Sequence, residues 1–181
     1  PFFILITIMV NPNYADAVCG DTTRTWDYGG GNTNWSTANN WSANARPDAG
    51  LPNPGGENAI IVSGAQIPNF DTSYTVACVE IQSGSLTANT NNRTMTVTGD
   101  YFRNLTPNSF IVGSGSFTIT MAGITAQTFE NYDDIENLTI GSAANDQDVT
   151  ITNPFILQSQ LSFTAGWAGT LYIDANMTYN G

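Results

Sequence analysis

The densest group of reactive side chains in this sequence is the run ENYDDIEN (130–137), which holds Glu130, Asp133, Asp134 and Glu136. Clustered carboxylates suit general acid–base catalysis or Ca2+ held by oxygen ligands. Asp133, Asp134 and Glu136 are the metal candidates, since Asp133 and Glu136 fall on one side of a turn. The carboxylates are adjacent in sequence rather than spread over successive strands. The four basic residues, Arg24, Arg46, Arg93 and Arg103, all lie upstream, so no cation is expected beside the cluster to hold an acidic sugar. A solvated loop is the reading expected here, with Ca2+ the single cofactor candidate. NDQD (145–148) is a looser run of oxygen ligands and a weaker candidate. The chain has no histidine, which removes the commonest general base and any Ser-His-Asp arrangement. No residue is assigned a catalytic role, and a non-enzymatic protein is expected.

Aromatic side chains are the second source of chemistry. TWDYGGGNTNWSTANNWSAN (25–44) places Trp26, Trp35 and Trp41 among glycine, asparagine and threonine. Rings so placed either stack on sugars or cover exposed apolar core. A cap buries the indole faces and a sugar platform leaves one open; Trp167 joins the three as a platform candidate. Threonines alternate in TMTVT (94–98) and FTITM (117–121). Outward threonine ladders on a solenoid can bind ice, but no fixed T-x-T register recurs along the chain, so ordinary solvent-facing strand residues are expected. Asn34, Asn40, Asn92, Asn104, Asn137 and Asn176 open N-x-S/T sequons, candidate glycosylation sites in an archaeal or eukaryotic cell.

Composition narrows the setting for these residues. Only 10% of residues are charged, and 4 Lys plus Arg against 15 Asp plus Glu leave a net charge of −11. Such a surface repels phosphate backbones, which excludes nucleic acid as a partner, and repels anionic membranes. The apolar run PFFILITIMV followed by Ala15-Asp16-Ala17 reads as a signal peptide over 1–17, cut after Ala17. It is too short to span a bilayer as a helix. An alternative keeps residues 3–10 as a strand exchanged between copies in an extracellular filament. Cys19 and Cys78 are an even pair, which in an oxidising compartment suggests one disulfide.

The elements that must position these groups are short strands. AIIVSG (59–64), YTVACVEIQSG (74–84), RTMTVTG (93–99), FIVGSGSFTITM (110–121), IENLTIG (135–141), DVTITN (148–153), QLSFTAG (160–166) and TLYIDANMTY (170–179) alternate apolar residues and end at turn formers. No window carries helical spacing, so the fold is all-β. Leu138, Val149, Leu161 and Leu171 each open a run at 10- to 12-residue intervals, so two strands make a unit of about 22 residues, the length of a solenoid coil. A β-sandwich is the alternative, but the tight hairpin dipeptides it favours are missing ahead of the strands. The expected core includes Ile60, Val76, Ile81, Val97, Ile111, Ile119, Leu138, Ile140, Val149, Ile151, Leu161 and Leu171.

Trp26, NWSTANNWS (34–42), PGGENAIIV (54–62) and GSGSFTITMAGITAQTFENYDDIENLTIG (113–141) together resemble the N-terminal region of large secreted bacterial β-helix proteins, autotransporter passengers and adhesin-like surface proteins. Glu57 is a minor departure, at a position where an acidic or Asp-type residue is usual. The resemblance implies a right-handed parallel β-solenoid over 59–181, with 18–58 as an irregular Trp-rich cap. It also implies a longer protein, since TYNG ends inside a coil with no cap, anchor or translocator. The function expected is a structural or adhesive segment of an exported surface protein. A glycan-binding or carbohydrate-active β-helix and a filament subunit are the alternatives. Surface glycans or neighbouring copies of the chain are the partners expected, with the membrane reached only through a missing anchor.

Overall fold

The computed structural model describes residues 19, 22–47, 57–62, 66–88, 92–107, 109–112, 116–141 and 147–180. The signal-peptide reading and the exchanged strand of residues 3–10 lie outside them. The strands among the described residues are β1 Thr22–Thr25, β2 Glu57–Ile61, β3 Tyr74–Val76, β4 Val79–Ile81, β5 Leu86–Ala88, β6 Arg93–Val97, β7 Tyr101–Asn104, β8 Phe110–Val112, β9 Phe117–Met121, β10 Gln127–Asn131, β11 Ile135–Ile140, β12 Val149–Ile151, β13 Phe155–Phe163, β14 Leu171–Ile173 and β15 Met177–Tyr179. Two 3-10 turns, Ala38–Asn40 and Ser42–Asn44, lie in the Trp-rich segment.

The strands stack as a parallel β-solenoid of about 5 turns. One sheet runs β1-β2-β4-β7-β10-β12-β14, a second β15-β13-β11-β9-β6-β3, and a third pairs β5 with β8. Each coil lays a strand in the six-stranded sheet, turns a corner, and lays the next in the seven-stranded sheet. Every pairing between these strands is parallel, the one antiparallel bridge among the described residues being Trp26 with Trp41 in the Trp-rich segment; this overturns the β-sandwich, since its sheets are antiparallel. The two-strand unit read from the leucine and valine spacing is the coil itself: Leu138 pairs with Leu161, and Val149 with Leu171, each one coil further along.

Alternation dictates which side chains face inward. In β9 and β10 every second residue is buried. Met95, Ile119 and Leu138 form one inward column, and Ala59, Val79, Phe102, Phe129 and Ile151 another. Phe102 and Phe129 stack with ring centroids 5.2 Å apart. Ladder hydrogen bonds continue through the corners, with Thr98, Ala122 and Gly141 donating N–H groups to Val76, Val97 and Met121 one coil back. Gly99 is required at its corner, because a Cβ there would lie 2.8 Å from the Cys78 sulfur.

Of the expected core, Val76, Ile81, Val97, Ile119, Leu138, Ile140, Val149 and Ile151 are buried. Leu161 and Leu171, in the later coils, are half-buried and pack against that core. Ile60 is a correction. Ala59 and Ile61 face inward over Val79 and Ile81, and this parity turns Ile60 outward beside Glu80.

Candidate functional site

The Trp-rich segment closes over the start of the solenoid. β1 adds in register to β2, and Trp35 donates its backbone N–H to Asn69 at 2.8 Å. Trp26, Trp35 and Trp41 are 0–2% exposed. They pack edge to face, Trp26 on Trp41 at 5.2 Å and Trp35 on Trp41 at 4.5 Å, and Trp35 continues onto Phe70 at 5.0 Å. Buried indoles cannot stack on a sugar, so these three rings belong to the core. Two indole N–H groups find carbonyls, those of Gln66 and Trp35, while the Trp35 indole nitrogen has no partner. Asn40, fully buried, donates to the carbonyls of Asn32 and Asn34 and accepts from Gly30, which pins the glycine-rich loop. Outside, Arg24 bonds Glu57 at 2.5 Å, so Glu57 fastens the cap to the first coil. A disulfide joins Cys19 to Cys78 with Cα atoms 5.6 Å apart.

The acidic run does not converge. Glu130 takes Arg103 at 2.7 Å and the Asn153 amide at 3.1 Å. Asp134 accepts from Gln158, and Glu136 accepts the Phe117 backbone N–H at 2.8 Å. The candidate Ca2+ ligands Asp133, Asp134 and Glu136 therefore do not form a common cage; among the described residues no three metal-ligating groups come together. The expectation that no cation stands near this run is corrected by Arg103. It is distant in sequence but one coil away across the ladder, where Glu80, Arg103 and Glu130 occupy a single outward column. Arg103 also lies over the Tyr101 ring at 4.8 Å. Of NDQD, only Gln147 and Asp148 are described. Asp148 accepts the Thr170 backbone N–H.

Two buried polar residues brace the corner between β6 and β7. Gln127 donates to the carbonyls of Val97 and Gly99 at 3.0 and 2.5 Å and accepts from Gly123. Asp100 is 3% exposed; one carboxylate oxygen accepts from the Thr125 hydroxyl and the other has no partner. Burial raises the Asp100 carboxyl above the ordinary aspartate range, opposed by the Thr125 hydrogen bond.

Trp167 is half-buried and stacks on Phe163, which is 51% exposed, at 5.4 Å. Its indole donates to the Gln147 carbonyl, and its ring lies where a Cβ on Gly141 would be. Of the sequons, Asn92 and Asn176 are exposed, and Asn34 and Asn137 half-buried. Asn40 and Asn104 drop out of the candidates, because both are fully buried with their amides engaged.

The threonines line up across coils. Thr75, Thr96, Thr120, Thr139 and Ser162 stand opposite one another across β3, β6, β9, β11 and β13. Two residues earlier, Thr94, Thr118, Asn137 and Gln160 form a second column. T-x-T stands in register on the adjacent strands β6 and β9 alone; β11 continues it as Asn137-x-Thr139 and β13 as Gln160-x-Ser162, so the motif itself does not repeat coil after coil. No protein-family model, curated protein or solved structure matches this chain.

Proposed function

We propose that this chain is the capped beginning of an exported cell-surface β-solenoid whose work is structural and adhesive rather than catalytic. The Cys19–Cys78 bond carries the reading, because such bonds persist in oxidising, extracytoplasmic compartments. Three buried tryptophans and the in-register β1 support it, since a solenoid end needs its core and strand edges covered. Two carboxylates of the acidic run, Glu130 and Glu136, are engaged by Arg103 and the Phe117 backbone, as structural groups are.

The stacked Phe163–Trp167 pair favours a second reading, a glycan platform, because these rings retain exposed surface where the cap rings do not. The test of the main proposal is thiol trapping with protease shaving on intact producing cells. The expected result is a surface-accessible chain with no alkylatable cysteine. A chain protected from protease, with Cys19 and Cys78 both alkylated, overturns it.

A further inference from the structure

We propose that the outward face of the six-stranded sheet binds ice. Its most regular part is six threonines on four adjacent strands: Thr75, Thr94, Thr96, Thr118, Thr120 and Thr139. Adjacent strands stand about 4.8 Å apart and alternate residues about 6.6 Å apart along a strand. The hydroxyls therefore form a two-dimensional lattice with spacings of the order of those between oxygens in hexagonal ice.

Three observations point to water rather than another partner. None of these hydroxyls bonds to another described residue, whereas Thr98 and Thr164 at the sheet's margin engage carbonyls of Val76 and Gly141. No Asp, Glu, Lys or Arg occupies an aligned position of either column, although the chain carries a net charge of −11 and the opposite sheet displays Glu80, Arg103 and Glu130. An uncharged array complements an uncharged lattice. Both columns also lack aromatic rings, the groups that stack on crystalline polysaccharide. Threonine is stiff at χ1, and the ladders hold the backbone, so little freedom is lost when water orders against the face.

The purified, disulfide-intact chain would be tested for thermal hysteresis and for partition of a fluorescent derivative into growing ice. The wild-type chain is expected to do both. Thr118→Tyr and Thr120→Tyr should abolish both, because a ring lifts the face off the lattice. Thr120→Val keeps the shape and strand preference and should lose roughly tenfold in ice affinity, the equivalent of one to two hydrogen bonds. Thr150→Tyr, on the opposite sheet, should change nothing. Circular dichroism of each variant establishes that it is folded. A wild-type chain that neither shapes nor enters ice overturns the proposal, as does ice binding that survives both tyrosine variants. Retention on crystalline cellulose or chitin in place of ice also overturns it.

Discussion

Asn104 donates its side-chain amide to the side-chain oxygen of Asn131 one coil on, at 2.9 Å, with both residues fully buried. The same Asn104 oxygen accepts from the Ser109 hydroxyl at 2.7 Å and the Thr106 backbone N–H. Asn131 in turn donates to the Asp133 carbonyl. The two amides thus tie the ends of β7 and β10 to the corners that follow them. Asn131→Ala leaves the Asn104 amide buried without its acceptor, a cost of about 1–3 kcal/mol. Urea unfolding of the single variants and of the Asn104→Ala/Asn131→Ala pair should show the double cost below the sum of the singles, the signature of direct coupling. Strict additivity would show that the amides act independently.

Trp41 contacts both other cap indoles, so it is the ring whose loss propagates furthest. Trp41→Ala should destabilise by about 3–5 kcal/mol, as for a large aromatic removed from a packed core. Trp167→Ala, at a half-buried ring, should cost less. Thermal denaturation followed by circular dichroism checks the order, and a larger loss at Trp167 would refute the capping role.

Much of the six-stranded sheet is legible in the sequence because β9 and the Met95–Val97 part of β6 alternate apolar and polar residues, and β11 does so from Leu138 onward, after an irregularity between Ile135 and Asn137. β7 and β10 are not, because Asn104, Gln127 and Asn131 occupy inward positions that alternation assigns to apolar residues. Tertiary hydrogen bonds make those polar groups tolerable, and only the structure displays the partners. β1, TTRT, carries no apolar residue at all and is a strand by pairing with β2. Neighbours across coils are equally hidden. Ile119 pairs with Leu138 across a short coil, while Phe102 pairs with Phe129 across a longer one. Corners of unequal length therefore set which threonines and charges meet, and no fixed sequence period reports it.

The Cys19–Cys78 bond closes a loop with a sequence separation of 59. On the chain-entropy account a loop of that size contributes about 4 kcal/mol through the unfolded state. Cys19→Ala isolates the tie, since Cys19 is half-buried whereas Cys78 lies fully inside. The variant should unfold at markedly lower denaturant than the oxidised chain, and reducing agent should lower the wild-type midpoint while leaving the variant unmoved. Equal midpoints in oxidised and reduced wild-type chain would remove the bond from any stabilising role.

Asp100 gives the fold a pH dependence of unusual sign for a carboxylate. Its buried position disfavours the ionised form, so the folded chain holds the proton to higher pH than the unfolded chain, whose aspartates titrate near about 3.9. Below that value both states are protonated and Asp100 is neutral toward stability. As pH rises, the unfolded chain ionises first, and the Asp100 contribution falls until the folded carboxyl also titrates. Asp100→Asn keeps an oxygen for the Thr125 hydroxyl and cannot ionise. The difference in unfolding free energy between this variant and wild type should therefore shift in favour of the variant as pH is raised from below about 4 toward neutrality, whatever its offset at acid pH. Comparing the two chains cancels the titration of every other carboxylate. A difference that stays constant with pH, or moves in favour of wild type, would mean that Asp100 ionises as readily in the fold as in the open chain.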